Sequence, residues 1–201
     1  LSGTDHIPDF LGKIYEVHNY RHAAAILATD FPTEFEEICS VLTKFQFTDD
    51  QIIKGGGNES EIPKTFSSLL RPLDWVEKRL DAEMVVDGEV VSTSTHKIDY
   101  VKGRVALDLE WNSKDQTFDR DLFAFRTFFE YGRISVGILV TRSVELVPYF
   151  RSLGKDVLRK YGAEGGSTTH MGKLLPRLES GRGGGCPLLV FGITPRSRRE
   201  E

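Results

Sequence analysis

His96-Lys-Ile-Asp99-Tyr-Val-Lys102-Gly103-Arg-Val-Ala-Leu-Asp108-Leu-Glu110-Trp-Asn-Ser-Lys114-Asp115 is the stretch on which the reading of this chain turns. Two short alternating runs flank Lys102-Gly103, and glycine tolerates the positive φ of a tight hairpin turn. Taking those two residues as the loop sets Val101 opposite Arg104, Asp99 opposite Ala106 and Lys97 opposite Asp108. Opposed residues project to one face of a hairpin, as does every second residue along a strand. Asp99, Asp108 and Glu110 then share a face, and Ile98, Tyr100, Val105, Leu107 and Leu109 take the other. Asp99 and Asp108 become diagonal neighbours, roughly 7–8 Å apart. A hard divalent cation, held by oxygens at about 2.0–2.1 Å, fits between such acids. A hairpin with a polar, solvated face is the alternative, and a one-residue slip would split the acids between faces.

The pattern Asp99-x8-Asp108-x-Glu110 resembles the catalytic core of the PD-(D/E)xK nucleases. It is most similar to that of type II restriction endonucleases of the BglII/BstYI group, relatives of BamHI. Asp99 matches the first acid, and Asp108 the second, where Glu is more usual. Glu110 matches the third position, which is Gln or Glu in this group and Lys in most of the superfamily. Lys114 is the nearby candidate for the missing lysine. The resemblance implies Mg²⁺ held by Asp99 and Asp108, with the Leu109 carbonyl as a further ligand. It implies that Glu110 orients or deprotonates the attacking water, or ligates a second metal. The fold implied is α/β (α+β), a restriction-endonuclease-like core in which a mixed central sheet with the catalytic hairpin is flanked by helices. The function implied is cleavage of double-stranded DNA at a short palindrome, centred on GATC in relatives, by a homodimer with one site per strand.

The 201 residues suit one domain, 39% hydrophobic and 28% charged, an ordinary globular composition. No apolar run approaches a membrane span. Leu1–His6 reads as a cloning remnant, and no signal peptide is visible. Cys39 and Cys186 lie too far apart for a metal-ligand motif, so a reduced cytoplasm is the expected setting. The net charge of −4 weighs against nucleic acid, because phosphate neutralisation draws on Lys and Arg. Net charge is not its distribution, however, and basic groups cluster at Arg177, Arg182, Arg196, Arg198 and Arg199.

In chain order, Lys13–Tyr20 reads as a strand and Tyr20–Ala28 as a short helix. A helix starting near Pro32 carries acids in its first turn and the apolar stripe Phe35, Ile38, Val41, Leu42, Phe45. Similarity to the BglII/BstYI group places this helix next to the dimer contact. Pro63–Leu70 and Leu73–Leu80 read as helices broken at Pro72, with Trp75 as a core anchor. Glu77 falls where related enzymes carry a polar residue near the metal; a solvated helix acid is the alternative. Asp87-Gly88 between Ala82–Val86 and Glu89–Thr95 is a hairpin signal, which makes the acidic hairpin part of a larger antiparallel run. Phe118, Leu122, Phe125 and Phe129 form one stripe of a helix over Phe118–Tyr131. Ile134–Thr141 then gives a strand, completing a crossover. Val144–Tyr161 reads as a helix, Pro187–Pro195 as a buried strand, and residues 196–201 as a disordered basic tail.

Two segments are candidates for DNA contact. Lys54-Gly-Gly-Gly-Asn58-Glu-Ser60 can bring backbone N–H groups to phosphates; it lacks a Walker spacing, so no nucleotide cofactor is expected. A surface linker is the alternative. In the segment 165–173, Ser167, Thr168, Thr169, His170 and Lys173 carry groups able to read base edges. BglII-like enzymes place a small-polar loop of this kind in the major groove. The alternative is a plain loop ending in a helix cap before Met171. Arg182, in a Gly-rich segment, is a candidate phosphate contact. Two other functions compete with a restriction enzyme: an inactive DNA-binding relative, favoured by Asp108 in place of Glu, and a structure-selective repair nuclease.

Overall fold

The computed structural model describes residues 5–54, 60–94, 96–162 and 168–199. Helix α1 (Asp9–Ile14) runs into strand β1 (Tyr15–Tyr20), followed by α2 (Ala23–Asp30), α3 (Pro32–Lys44), α4 (Asp49–Lys54) and α5 (Glu61–Leu70). A 3-10 turn at Arg71–Leu73 leads to β2 (Val76–Lys78), β3 (Asp81–Val86) and β4 (Glu89–Ser94). The acidic hairpin is β5 (Ile98–Lys102) and β6 (Val105–Glu110). Helix α6 (Thr117–Glu130) crosses to β7 (Val136–Arg142), and α7 (Leu146–Ser152), α8 (Lys155–Tyr161), α9 (Met171–Glu179) and β8 (Leu188–Ile193) complete the chain.

The main sheet has the order β1-β8-β7-β6-β5-β2. Strands β6, β7 and β8 are parallel, while β1, β5 and β2 pair antiparallel with their neighbours. The parallel strands are buried on both faces, which explains their continuous apolar sequences. One face packs Leu107, Val140 and Phe191 against α2, α3, α5, α7 and α8. The other packs Ala106, Leu139 and Val190 against α6 and α9. The expected mixed sheet flanked by helices, with a strand–helix–strand crossover into a parallel pair, is therefore present.

The hairpin loop differs from expectation by one residue. Lys102 pairs with Val105, so Gly103-Arg104 is the turn, with Gly103 at φ 55°. Moving the loop by one shifts the pairing by two, and a two-residue shift preserves faces. Asp99 now stands opposite Asp108 instead of diagonal to it. Tyr100, Val105, Leu107 and Leu109 take the expected apolar face. Ile98 packs instead on the α6 side, where the β2–β5 pairing shifts register.

Four other expectations are corrected. Leu73–Leu80 is not a helix: Asp74 at φ 64° ends the 3-10 turn and β2 adds to the sheet edge beside β5. The β3–β4 hairpin forms at Asp87-Gly88 as expected but stands apart as its own two-stranded sheet. Val144–Tyr161 is split at Gly154, whose φ of 119° breaks the helical path. In the tail, Arg196 pairs with Glu145, Arg198 with Asp49, and the Arg199 N–H donates to the Phe47 carbonyl, so residues 196–199 are held in place.

Candidate active site

Asp108 and Glu110 occupy the C-terminal half of β6, in register with Leu139 and Thr141 of β7. The Thr141 hydroxyl donates to the Glu110 carbonyl at 2.8 Å. From β5, the Asp99 N–H donates to Asp108 Oδ1 at 2.7 Å. Phe118, Leu122 and Phe125 press α6 onto this face of the sheet. Gly137 lets it come close: a Cβ there would stand 2.6 Å from Leu188 and 2.7 Å from Phe125. The first turns of α6 thereby bring Arg120 and Asp121 beside the β6 acids.

These groups line a cavity of about 600 Å³ together with Ser60, Glu77, His96, Lys97, Lys114 and Thr117. Asp108 is 4% exposed, Glu110 6% and Asp121 2%, so the solvated-face alternative fails for the two acids of β6, while Asp99 on β5 stays exposed at the cavity. Arg120 Nη2 lies 2.9 Å from Asp121 and 3.3 Å from Glu110. One guanidinium does not balance the neighbouring acids. Burial, then Asp99, push the Asp108 carboxyl well above the usual carboxylate range. Burial, then Asp108 and Glu110, push Asp121 up to about 9. Burial and Glu110 raise Asp99 as well. The Arg120–Asp121 pair is thus lopsided: its acids hold Arg120 charged, while desolvation and like charge outweigh Arg120 at Asp121. Charge crowding in a closed space explains both directions, and it is the condition a cation would relieve.

A family model described as restriction endonuclease BglII/BglIII matches residues 15–193, from the start of β1 to the end of β8. The chain belongs to the BglII/BglIII restriction endonuclease family. It is a type II, site-specific deoxyribonuclease acting on double-stranded DNA. A search of curated proteins finds no match. Among the described residues, no helix is long and apolar enough to cross a membrane.

The donors in the cavity suit the hard divalent cation general to type II restriction endonucleases. Asp108 Oδ2, Glu110 Oε2 and Asp121 Oδ2 are buried carboxylate oxygens without a hydrogen-bond partner, and carboxylate oxygen is the donor Mg²⁺ prefers. Among the described residues, however, no three acids, histidines or cysteines stand together as a ready-made metal cluster. The acids are assembled around Arg120 instead.

Of the residues singled out in the sequence, Asp99, Asp108, Leu109, Glu110 and Lys114 all line this one cavity. Lys114 is exposed, and its backbone bridges Thr168. Glu77 also reaches the cavity, from a strand and not a helix, ion-paired to Lys97 at 2.7 Å. The DNA candidates are not gathered in the same way. Lys54 is exposed at the end of α4, within 3.8 Å of Asp50. Asn58 and Ser167 lie outside the described residues. The Thr168 hydroxyl donates to the Tyr161 carbonyl, and Thr169 is fully buried, its carbonyl accepting two bonds from Arg142. His170 is buried at the start of α9, so Thr169 and His170 face the protein and not a groove. Lys173 is half-buried on α9, and exposed Arg182 is bound to Asp119.

Asp121 was not singled out as a site residue, because an acid in a first helical turn reads as a dipole partner. A signal was present. Asp121 falls three residues after Phe118 and four before Phe125, on the stripe that must face the sheet.

Proposed function

We propose that this enzyme cleaves a short palindrome, centred on GATC, as a Mg²⁺-dependent homodimer, with Asp99, Asp108, Glu110 and Lys114 around the scissile phosphate. The observation that carries the proposal is the convergence of the three motif acids in one cavity at the end of β6. Mg²⁺ bound to Asp99, Asp108 and the Leu109 carbonyl would lower the pKa of a water and offset charge on the phosphate in the transition state. The Asp99 main chain fixes the rotamer of Asp108. Glu110 holds the nucleophilic water in line with phosphorus and accepts its proton. Lys114, exposed at the rim, meets the phosphate oxygens from solvent. Lys54, Asn58, Ser167, Thr168, Lys173 and Arg182 are the residues proposed to meet the DNA. Thr169 and His170, buried as they are, hold Thr168 in place from the protein side. A palindrome read by two copies places one cavity on each strand.

Digestion of a plasmid of known sequence with Mg²⁺, followed by sequencing of the fragment ends, tests the proposal. Discrete fragments ending within one palindrome support it, and sedimentation should give twice the chain mass. Random ends would assign a non-specific nuclease. Intact DNA with retained sequence-specific binding would assign an inactive relative.

A further inference from the structure

Arg120 and Asp121 lie outside the Asp-x8-Asp-x-Glu motif, yet they close the cavity from the α6 side. Asp121 contributes a second buried carboxylate face, and its Oδ2 has no hydrogen-bond partner. Glu110 Oε2 is in the same condition. Arg120 bridges the two acids through one nitrogen and adds a 3.0 Å bond from Nε to Asp121. Both carboxylates therefore reach a common point, and a positive charge already sits there. The Arg120 side chain is 42% exposed, so it can turn out toward solvent or a DNA phosphate without disturbing the core.

We propose that Asp121 is a cation ligand supplied by α6, and that Arg120 is the resident counter-ion which a divalent cation displaces from between Glu110 and Asp121. The proposal rests on the metal reading of Asp99 and Asp108 given above. It explains why no finished metal cluster stands among the described residues: the acids are spaced for a guanidinium until Arg120 leaves. It also gives the chain a basic group beside the third motif position, where most of the superfamily carries lysine. Once turned outward, Arg120 is free for a phosphate oxygen, which accepts its N–H groups in a fork.

Calorimetric titration of Ca²⁺ into the whole DNA-free protein separates the possibilities. Asp121→Asn keeps the side-chain volume and should weaken Ca²⁺ binding roughly tenfold or more. Arg120→Gln removes the competing charge and should strengthen it about tenfold. The double variant should show no gain over Asp121→Asn alone. Circular dichroism confirms that each variant is folded. Native-like Ca²⁺ binding by Asp121→Asn, with binding lost in Asp108→Asn, would overturn this inference and leave the metal reading intact. Native-like binding by both variants would overturn the two together. Weaker binding by Arg120→Gln would make Arg120 a support of the site and contradict its role as a displaceable cation.

Discussion

The backbone N–H of Asp99 donates to Oδ1 of Asp108 at 2.7 Å, so the main chain of the first motif acid orients the side chain of the second. Asn at position 108 keeps that acceptor and the side-chain volume while removing a buried charge. Asp108→Asn should stabilise the metal-free protein by about 1–3 kcal/mol at pH 8. It should also lower cleavage by at least about a hundredfold. Thermal melting in a chelator and a timed digest check the two halves. A destabilised variant would mean that the Asp108 charge is balanced in the fold.

The raised carboxyls give a pH dependence of definite sign. Below about pH 3, under the unfolded carboxyl's own pKa, a buried and an unfolded carboxyl both hold the proton, and burial carries no charge penalty. Above the folded pKa, about 9 for Asp121, both have lost it and the full penalty stands. Metal-free stability contributed by these acids therefore falls as pH rises through that window. The melting-temperature advantage of Asp121→Asn over the native protein should grow from pH 5 to pH 9 in chelator. It should shrink when Mg²⁺ is added, because bound metal stabilises only the folded state. An advantage independent of pH would contradict the assignment.

Gly137 sets how closely α6 approaches the sheet, since an added Cβ would meet Leu188 and Phe125 inside contact distance. Gly137→Ala should cost about 1–3 kcal/mol through overpacking. Because α6 carries Arg120 and Asp121, cleavage should fall as well, even though position 137 does not line the cavity. Denaturant melts and digests of the same preparation test this. Unchanged stability would show that the Leu188 and Phe125 side chains yield freely.

Arg142 is buried and donates to the carbonyls of Thr169 and Tyr161, with Trp111, Phe150 and Tyr161 rings around it. It pins Thr168–Thr169 to the sheet beside Lys114. Arg142→Ala leaves the Thr169 carbonyl unpaired and the Tyr161 carbonyl with the Thr168 hydroxyl alone, and should destabilise by about 3 kcal/mol. Arg142→Lys should recover only part of this, because an ammonium cannot reproduce the planar fork. Chemical denaturation of both variants checks the order, and full recovery by lysine would contradict it.

The face of the acids was legible in the sequence even though the loop was misplaced by one residue. Strand period is two, and that error moved the pairing by two. The crossover was legible because Phe118, Leu122 and Phe125 keep one helical stripe and β7 is apolar throughout. Val76–Lys78 was not legible, since its strand conformation comes from pairing with β5 across the fold. The tail was misread for the same reason: Glu145 and Asp49, the partners of Arg196 and Arg198, are remote in sequence. Asp121 was overlooked because local helix electrostatics offered a sufficient reason for an acid there.

Whether the cavity at the end of β6 is the cleavage centre is tested most directly with Asp99→Ala. Alanine keeps the position-99 N–H, so Asp108 stays oriented while one carboxylate disappears. Native and variant proteins, matched for folding by circular dichroism, are digested with Mg²⁺ on one plasmid. Discrete fragments from the native protein and intact plasmid from the variant are expected. The same fragments from both would contradict the placement of catalysis at Asp99, Asp108 and Glu110.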